Sequence, residues 1–189
     1  MQISQRKING VFEITLSPIG DHRGFFMRSF DLNEFNKYGM NKMWVQENHS
    51  RSSRQGIIRG LHFQFPPYAE TKLVRCIRGK ILDVFVDLRK DSKTFGQWDS
   101  LELSAENKKM IFIPRGFAHG FCTLDDEIEV LYKVDNFYAP EYEGGLLWND
   151  PDIGIDWPVE DPVLSGKDRR NMKLEEFIEK YKYVDNSSH

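Results

Sequence analysis

The sequence predicts an all-β sandwich or barrel, and three observations support this fold class. About ten short apolar segments follow one another at intervals of roughly 8–14 residues, which is typical of strands joined by short turns. Glycine, proline, aspartate and asparagine separate these segments. Aromatic residues, which favour strands, make up 13% of the chain. Strands and long helical segments do not alternate, so we do not expect βαβ units.

Length and composition are those of an ordinary globular chain. The 189 residues include 26 Lys+Arg and 29 Asp+Glu, for a net charge of −3, and this length favours one domain. A pI near 6.0 argues against a general nucleic-acid-binding protein. No segment approaches the ~20 apolar residues that cross a bilayer, and no signal peptide is visible. Cys76 and Cys122 lie in apolar segments, which favours two buried thiols in a cytoplasmic protein over a disulfide scaffold.

The strands are predicted from alternation and from turn residues. Gly10–Leu16 alternates apolar and polar residues, as a half-buried strand does. Ile81–Leu88 is apolar on both faces, which is typical of a strand covered on both sides, and Arg78-Gly79 before it predicts a turn. In chain order the predicted strands are Gly10–Leu16, Gly24–Phe30, Met43–Asn48, Ile57–Phe63, Leu73–Ile77, Lys80–Leu88, Gly96–Leu103, Lys109–Ile113, Gly120–Leu124 and Ile128–Val134.

Two helices interrupt the strands. Asp31–Tyr38 begins with an aspartate that can cap a helix, and Lys173–Tyr181 places apolar residues at helical spacing. Trp157–Pro162 is expected to be an extended linker. We therefore predict one domain, with a β core over residues 8–156, a C-terminal flap over residues 157–184 and a disordered end over residues 185–189.

Two segments contain the histidines that could carry chemistry. In Gly56–Gln64, alternation predicts Arg59, Leu61 and Phe63 on one face of a strand and His62 on the other. Pro114-Arg-Gly-Phe-Ala-His119 has the P-x-G-x-x-H pattern. This pattern resembles the second motif of the cupin superfamily, whose fold is a double-stranded β-helix or jelly roll. On single-motif evidence, a hydrogen-bonded structural histidine is an equally good interpretation of either residue.

A metal site is one interpretation of these histidines. Metal-binding cupins carry His-x-His, then a glutamate, then the later histidine, whereas this chain has His62-x-Gln64, Glu70 and His119. Glutamine is a poor replacement for an imidazole ligand of a transition metal. His62, Glu70 and His119 still leave open a metal-dependent cupin oxygenase or a sugar-binding module.

A series of collinear motifs extends over roughly Ile8 to Leu174. They are DHRGFF at Asp21–Phe26, QENHS at Gln46–Ser50, IRGLHFQ at Ile58–Gln64, KLVR at Lys72–Arg75, GKILDV at Gly79–Val84, VDLR at Val86–Arg89, Ser92-x-x-Phe95-Gly96, PRGFAHGF at Pro114–Phe121, WNDP at Trp148–Pro151 and LSGKD at Leu164–Asp168. Collinear motifs are far more specific than any single one. Together they resemble one family, the dTDP-4-dehydrorhamnose 3,5-epimerases.

The resemblance implies a cupin-type jelly roll and a metal-free, cofactor-free isomerase of deoxysugar biosynthesis for surface polysaccharide. Its substrate would be a nucleoside-diphosphate 4-keto-6-deoxy sugar, with acidic protons at C3 and C5. The matching positions are His62 as the base, Asp168 as its orienting carboxylate, Lys72 beside the C4 oxygen and Tyr132 as the acid on the opposite face. The resemblance also implies a homodimer with exchanged N-terminal strands, in which Arg23–Phe30 contributes to the neighbouring pocket.

The remaining matches are substrate-binding positions. Arg23, Arg59 and Lys167 match contacts to diphosphate or sugar, a role that suits basic side chains. Phe137 and Tyr138 are candidates to stack on the base or the sugar, and core packing is an equal alternative. The other pocket positions are Gln46, Glu47, Asn48, His119 and Glu143.

Arg28 departs from the family, which usually has glutamate there, close to the base in thymidine complexes. An arginine has only donors and cannot accept from thymine N3–H, but it can donate to guanine or to the acceptor edge of cytosine. A GDP- or CDP-linked 4-keto-6-deoxy sugar or heptose, inverted at C3, C5 or both, is therefore an alternative substrate. A salt bridge from Arg28 to Glu47 is an equal structural explanation.

Overall fold

The computed structural model describes residues 1–184, and two antiparallel sheets form its framework. The six-stranded sheet has the order β1-β2-β10-β7-β12-β5, the five-stranded sheet has the order β13-β6-β11-β8-β9, and β3 pairs only with β4. The strands are β1 Gln2–Gln5, β2 Phe12–Thr15, β3 Ile19–Asp21, β4 Gly24–Phe26, β5 Gln46–Ser52, β6 Ile58–Gln64, β7 Lys72–Arg78, β8 Lys80–Asp87, β9 Trp98–Ser104, β10 Lys109–Ile113, β11 Phe117–Thr123, β12 Ile128–Val134 and β13 Glu143–Gly145. The helices are α1 Leu32–Asn36 and α2 Leu174–Tyr181.

The main core lies between the two sheets. Val74 and Val130 of the six-stranded sheet belong to one buried cluster with Phe85 and Phe121 of the five-stranded sheet. Burying each such side chain contributes about 1.5–3 kcal/mol to the free energy of unfolding. This arrangement of two packed antiparallel sheets confirms the predicted all-β jelly roll.

The outer face of each sheet is also covered. Leu73 of β7 and Phe112 of β10 pack with Phe35 of α1 in a second cluster. On the other side, alternate residues of β8, including Val84 and Val86, form a third cluster with α2 of the flap. The prediction that β8 is apolar on both faces is therefore explained: one face points into the main core and the other lies under the flap.

Several predicted elements have different bounds in the structure. Lys109–Ile113 and Ile128–Val134 agree with β10 and β12, and both predicted helices are present in shorter form. Gly24–Phe30 is a strand only as far as Phe26. The sequence did not predict β1, β3 and β13, because two of them have three residues and β1 is mostly polar. The predicted disorder of residues 185–189 lies outside the described residues.

An irregularity in β6 changes which side chains face the site. His62 pairs with His119 of β11, and Arg59 pairs with Phe121. Between these two pairs β6 advances by three residues and β11 by two, so β6 has one extra residue. Such a β-bulge breaks the alternation of side chains. The strict alternation predicted for Gly56–Gln64 is therefore wrong: Arg59 lies on the same side as His62, while Leu61 is buried under the flap.

Two glycines permit this close pairing of β6 and β11. A Cβ on Gly60 would lie 2.6 Å from the Cα of Gly120, and a Cβ on Gly120 would lie 2.6 Å from the carbonyl oxygen of Arg59. Gly60 also has a φ of +115°, which side chains rarely adopt. Glycine is required at both positions by backbone contact.

The C-terminal flap is tied to the five-stranded sheet and to the segment that precedes it. Asp150 accepts a hydrogen bond from the backbone N–H of Leu174 at 2.5 Å, and Val184 donates to the carbonyl of Leu88 at 2.8 Å. Phe177 of α2 is fully buried against this sheet. These contacts fix a short 3-10 helix, Asp168–Arg170, against β6. Within residues 1–184, no helix is both long and apolar enough to cross a membrane.

Candidate active site

A cavity of about 520 Å³ contains most of the residues that the sequence singled out. Strands from both sheets line it, together with the flap residues Ser165, Lys167 and Asp168. Clefts of this size accommodate small-molecule ligands. The predicted residues that line it are His62, Tyr132, Asp168, Lys72, Gln46, Asn48, Arg59, His119, Tyr138, Glu143 and Lys167.

His62 and Asp168 form a hydrogen-bonded pair in the cavity. Nε2 of His62 lies 2.5 Å from Oδ1 of Asp168, whose side chain is 5% exposed. Ser165 donates from its hydroxyl to Oδ2 of the same carboxylate at 2.8 Å. Burial raises the pKa of Asp168, but the hydrogen bonds from His62 and Ser165 outweigh it and hold the pKa below its usual value. An ionised Asp168 accepts the proton on Nε2, which leaves the Nδ1 lone pair of His62 to act as a base.

A second histidine–carboxylate pair lies deeper. Nε2 of His119 is 2.8 Å from Oδ2 of Asp83, and Asp83 is fully buried. Burial raises the pKa of Asp83, and the nearby charges of His119 and Lys72 act in the opposite direction. Nε2 of each histidine thus has its own carboxylate partner, Asp168 for His62 and Asp83 for His119. Within residues 1–184, no group of three His, Cys, Asp or Glu side chains is arranged to hold a metal ion.

Lys72 and Tyr132 project into the cavity from neighbouring strands of the six-stranded sheet. Nζ of Lys72 lies 3.3 Å from Oε1 of Glu70, and both side chains are nearly buried. Tyr132 is opposite Val74 in the pairing of β12 with β7. Burial raises the pKa of Tyr132, the negative charge of Glu70 adds to this, and Arg59 opposes it. The phenol is therefore protonated at neutral pH, as a proton donor must be.

Polar contacts connect four of the residues that line the cavity. Glu143 forms an ion pair with Lys167 and accepts a hydrogen bond from the Tyr138 hydroxyl at 2.9 Å. Burial raises the pKa of Glu143, but its hydrogen bonds with Lys167 and Tyr138 outweigh burial and lower the pKa. The backbone N–H of Tyr138 donates to the side chain of Gln46 at 2.7 Å. These contacts join β13, the flap and β5 on one side of the cavity.

Arg59 contributes a guanidinium group to the lining of the cavity. Its Nε donates to the Ser52 hydroxyl at 3.1 Å and a terminal nitrogen donates to the Arg51 carbonyl at 3.0 Å. No carboxylate pairs with it in residues 1–184. Its charge is therefore available to an anionic ligand.

Four predicted site residues do not line this cavity. Arg23 is paired with Asp21 in the exposed β3–β4 ribbon, and Phe137 is 59% exposed. Arg28 and Glu47 are the other two, and the predicted alternative of a salt bridge between them is wrong, because each has another partner.

Nη1 of Arg28 lies 3.3 Å from Oδ2 of Asp31, which follows it by three residues in the chain. Oε1 of Glu47 lies 2.9 Å from Nζ of Lys133, its neighbour across the β5–β12 pair.

Three residues that contribute to the site had no predicted role in epimerisation. Asp83 interrupts an apolar strand, a pattern that indicates a buried carboxylate in need of a partner. Ser165 precedes Asp168 by three residues, the spacing of a local hydrogen-bonded turn. The sequence suggests Glu70 only as a metal ligand. Its contact with Lys72 depends on the path of the chain before β7, which periodicity does not reveal.

Comparison with known proteins assigns the chain to a family. The family model described as dTDP-4-dehydrorhamnose 3,5-epimerase matches residues 5–176. The chain belongs to the dTDP-4-dehydrorhamnose 3,5-epimerase family. A Shigella flexneri dTDP-4-dehydrorhamnose 3,5-epimerase is 49% identical over 175 residues, which cover 92% of this chain and 96% of the relative.

Solved structures of epimerases in this family have the same fold. A Bacillus anthracis dTDP-4-dehydrorhamnose 3,5-epimerase, crystallised with TDP and PPi, superposes with a TM-score of 0.89 at 44% identity, covering 92% of this chain and 99% of that one. The Legionella pneumophila enzyme, in complex with dTDP-4-keto-L-rhamnose, gives a TM-score of 0.87 at 40% identity, covering 92% and 93%. The chain is thus an isomerase of the epimerase class that acts on nucleotide sugars.

Proposed function

We propose that this protein inverts C3 and C5 of a dTDP-4-keto-6-deoxy sugar through enolate intermediates and without a metal ion. The observation that carries the proposal is one cavity that holds a base, an acid and an ammonium group. These are the His62–Asp168 pair, Tyr132 and Lys72. The ligands crystallised with the Bacillus anthracis and Legionella pneumophila relatives support a thymidine nucleotide and a 4-keto sugar.

The proposed chemistry uses the acidity of carbons next to a ketone. Nδ1 of His62 takes the proton from C3 or C5, and the C–H electrons move into the ring to give an enolate with its charge on the C4 oxygen. The ammonium of Lys72 stabilises that charge, as a preorganised cation does in a nearly buried site. Tyr132 returns a proton from the opposite face, which inverts the carbon. His62 then releases its proton to solvent, and the Tyr132 phenolate takes up a proton from solvent, before the second carbon reacts.

Basic and polar side chains around the cavity suit the rest of the ligand. We propose that Arg59 and Lys167 contact the diphosphate or the sugar, which agrees with the lack of a carboxylate partner for Arg59 among residues 1–184. Lys167 is paired with Glu143. Gln46, Asn48, His119 and Tyr138 are proposed as further pocket contacts. Phe137, which is exposed, is proposed to stack on the ligand from outside the cavity.

We also propose a homodimer in which the N-terminal region reaches the neighbouring subunit. The β3–β4 ribbon pairs with no other strand within residues 1–184. Its apolar side chains Ile19, Phe25 and Phe26 are 75%, 57% and 68% exposed. Adjacent apolar side chains left in water favour a protein–protein contact. The same ribbon carries Arg23, which is paired with Asp21 and is exposed, and we propose that it contacts the ligand in the neighbouring subunit's cavity.

A cytoplasmic location is proposed on the state of the cysteines. Cys76 and Cys122 are both buried and unpaired, and burial raises the pKa of each thiol to about 11. Inert, separate thiols are typical of proteins in a reducing compartment.

Hydrogen exchange tests the proposed reaction directly. The protein is incubated with a dTDP-4-keto-6-deoxy sugar in D₂O, and NMR measures deuterium at C3 and C5. Deuterium at both carbons is expected, and His62→Asn should abolish it because the base is lost. Deuterium at only one of these carbons would show that the enzyme acts on that carbon alone. Exchange that persists in His62→Asn would overturn the assignment of the base, and activity lost to a chelator would favour the metal-dependent alternative.

A further inference from the structure

Glu70 is a nearly buried carboxylate that the proposed reaction does not use. It lies just before β7 and lines the cavity, and its side chain is 13% exposed. Oε1 is 3.3 Å from Nζ of Lys72, while Oε2 accepts a hydrogen bond from Nε2 of Gln64 at 3.2 Å. Both oxygens are therefore engaged, and the carboxylate is held beside the ammonium that the reaction needs.

The fold fixes the position of Glu70 through Gln64. The Gln64 amide is buried and also donates to the carbonyls of Tyr68 at 2.9 Å and Phe137 at 3.2 Å. Its carbonyl oxygen accepts from the backbone N–H of Ala139 at 2.7 Å. A side chain with this many partners has one orientation, so the glutamate that it contacts is also restrained.

A nearly buried ammonium requires a nearby carboxylate, since an unpaired buried charge is strongly unfavourable. Lys72 is only 10% exposed on its side chain. Asp83 also interacts with Lys72 electrostatically, but its hydrogen bond goes to His119. Among residues 1–184, Glu70 is the carboxylate in ion-pair contact with Lys72.

Glu70 acts on Tyr132 through its charge. Burial raises the pKa of Tyr132, and the negative charge of Glu70 raises it further because a phenolate beside a carboxylate is unfavourable. Glu143 acts in the same direction and Arg59 in the opposite one. The other titratable groups that line the cavity are His62, Lys72, His119, Tyr138, Lys167 and Asp168.

We propose that Glu70 is a positioning residue for the reaction: it anchors the Lys72 ammonium beside the C4 oxygen and places a negative charge in the cavity with Tyr132. This inference rests on the proposed function. The anchored ammonium stabilises the negative charge of the enolate, and the carboxylate keeps Tyr132 in its protonated phenol form, which can donate a proton. Glu70 itself neither touches the reacting carbons nor exchanges a proton with them.

The first test compares Glu70→Gln and Glu70→Asp with the native protein. Glu70→Gln keeps the shape but removes the charge, so kcat should fall about tenfold or more, while KM should change by less than about threefold. Glu70→Asp retains the charge and should recover part of kcat. Glu102→Gln, which removes an exposed carboxylate from β9, is the matched control and should retain native kcat. Thermal melting of each variant identifies any loss of folding.

The second test measures the ionisation of Tyr132 without substrate. The ultraviolet absorbance of the phenolate is titrated with pH in the native protein and in Glu70→Gln, and the matching Tyr132→Phe curve is subtracted from each. The midpoint should move to lower pH in Glu70→Gln, and the alkaline limb of kcat should move with it. Glu70→Asp keeps the charge and should keep the native midpoint. Glu70→Ala, which also removes the charge and should lower the midpoint, replaces Glu70→Gln if that variant does not fold.

The outcomes separate this inference from the proposed function. A lower kcat together with a lower Tyr132 midpoint in Glu70→Gln supports the role of Glu70. Native kcat or an unmoved midpoint overturns it, because a purely structural residue would alter melting and leave the titration unchanged. If the native protein causes no exchange at C3 or C5, the proposed function fails.

Discussion

Nε2 of His62 lies 2.5 Å from Oδ1 of Asp168, although the two residues are 106 positions apart in the chain. β6 provides the histidine and the C-terminal flap provides the carboxylate. The contact exists because α2 is buried on the outer face of the five-stranded sheet and holds the preceding 3-10 helix against β6. The proposed base is thus assembled only when the flap is folded.

Asp168→Asn should lower kcat strongly while leaving the fold intact. The asparagine amide can donate to Nε2, which favours the tautomer with its proton on Nδ1 and so blocks the base. We expect a loss of about 10²–10⁴-fold in kcat, by analogy with orienting carboxylates of catalytic histidines. Steady-state kinetics measure it, and Ser165→Ala is the milder control because it removes one of two hydrogen bonds to the carboxylate. A native kcat in Asp168→Asn would contradict the role.

The same carboxylate should contribute to acid stability. Its pKa is lower in the folded protein than the usual 3.8, so it stabilises the fold above that value. The contribution is lost as the pH falls through the lowered folded pKa. Denaturant unfolding of native protein and Asp168→Asn over pH 2–7 should show curves that converge below about pH 4. Parallel curves across this range would contradict the coupling.

Tyr132→Phe should separate proton removal from inversion. The variant keeps His62 and Lys72, so deuterium exchange from D₂O should continue at least at one carbon. Inversion should be slowed by about 10²-fold or more, because no acid delivers a proton from the opposite face. NMR of the sugar product measures both quantities in one experiment. Inversion at the native rate would assign the acid to another group.

The nucleotide should be dTDP, despite Arg28. The arginine is paired with Asp31 and does not line the cavity of its own chain. Calorimetric titration with dTDP, CDP and GDP should give the tightest binding for dTDP, because the ion pair with Asp31 keeps Arg28 from donating to a base in either subunit's cavity. Arg28→Glu should change this order little if the residue stays with its local partners. Preference for GDP or CDP, lost in Arg28→Glu, would support the alternative substrate.

Mixing two inactive variants tests whether Arg23 serves the neighbouring subunit. Arg23→Ala and His62→Asn homodimers each lack one required residue in every site. In a mixed dimer one site carries both changes and the other carries none, so random exchange should restore about a quarter of the native activity. His62→Asn mixed with Asp168→Asn is the control, since both residues belong to one chain's cavity and no native site can form. Equal activity in the two mixtures would contradict an exchanged ribbon.

Much of the local structure could be predicted from the sequence. Alternation located β10 and β12, and the aspartate at position 31 marked the start of α1, where it accepts hydrogen bonds from Asn33 and Glu34. Short or polar strands such as β3 and β13 were missed, because three residues carry too little periodicity. The face of Arg59 was also missed, since the extra residue in β6 appears only in its pairing with β11.

The all-β class, the apolar residues of the core and the residue types that could act as base, acid and cation all follow from the sequence alone. Which of these residues come into contact depends on how the sheets and the flap pack. Sequence separation contains no information on the contact of His62 with Asp168 or of Lys72 with Glu70, because the packing of the flap and the path into β7 create both. The positions of Arg23 and Arg28 outside the cavity were decided in the same way, by short-range ion pairs that no strand or helix pattern predicts.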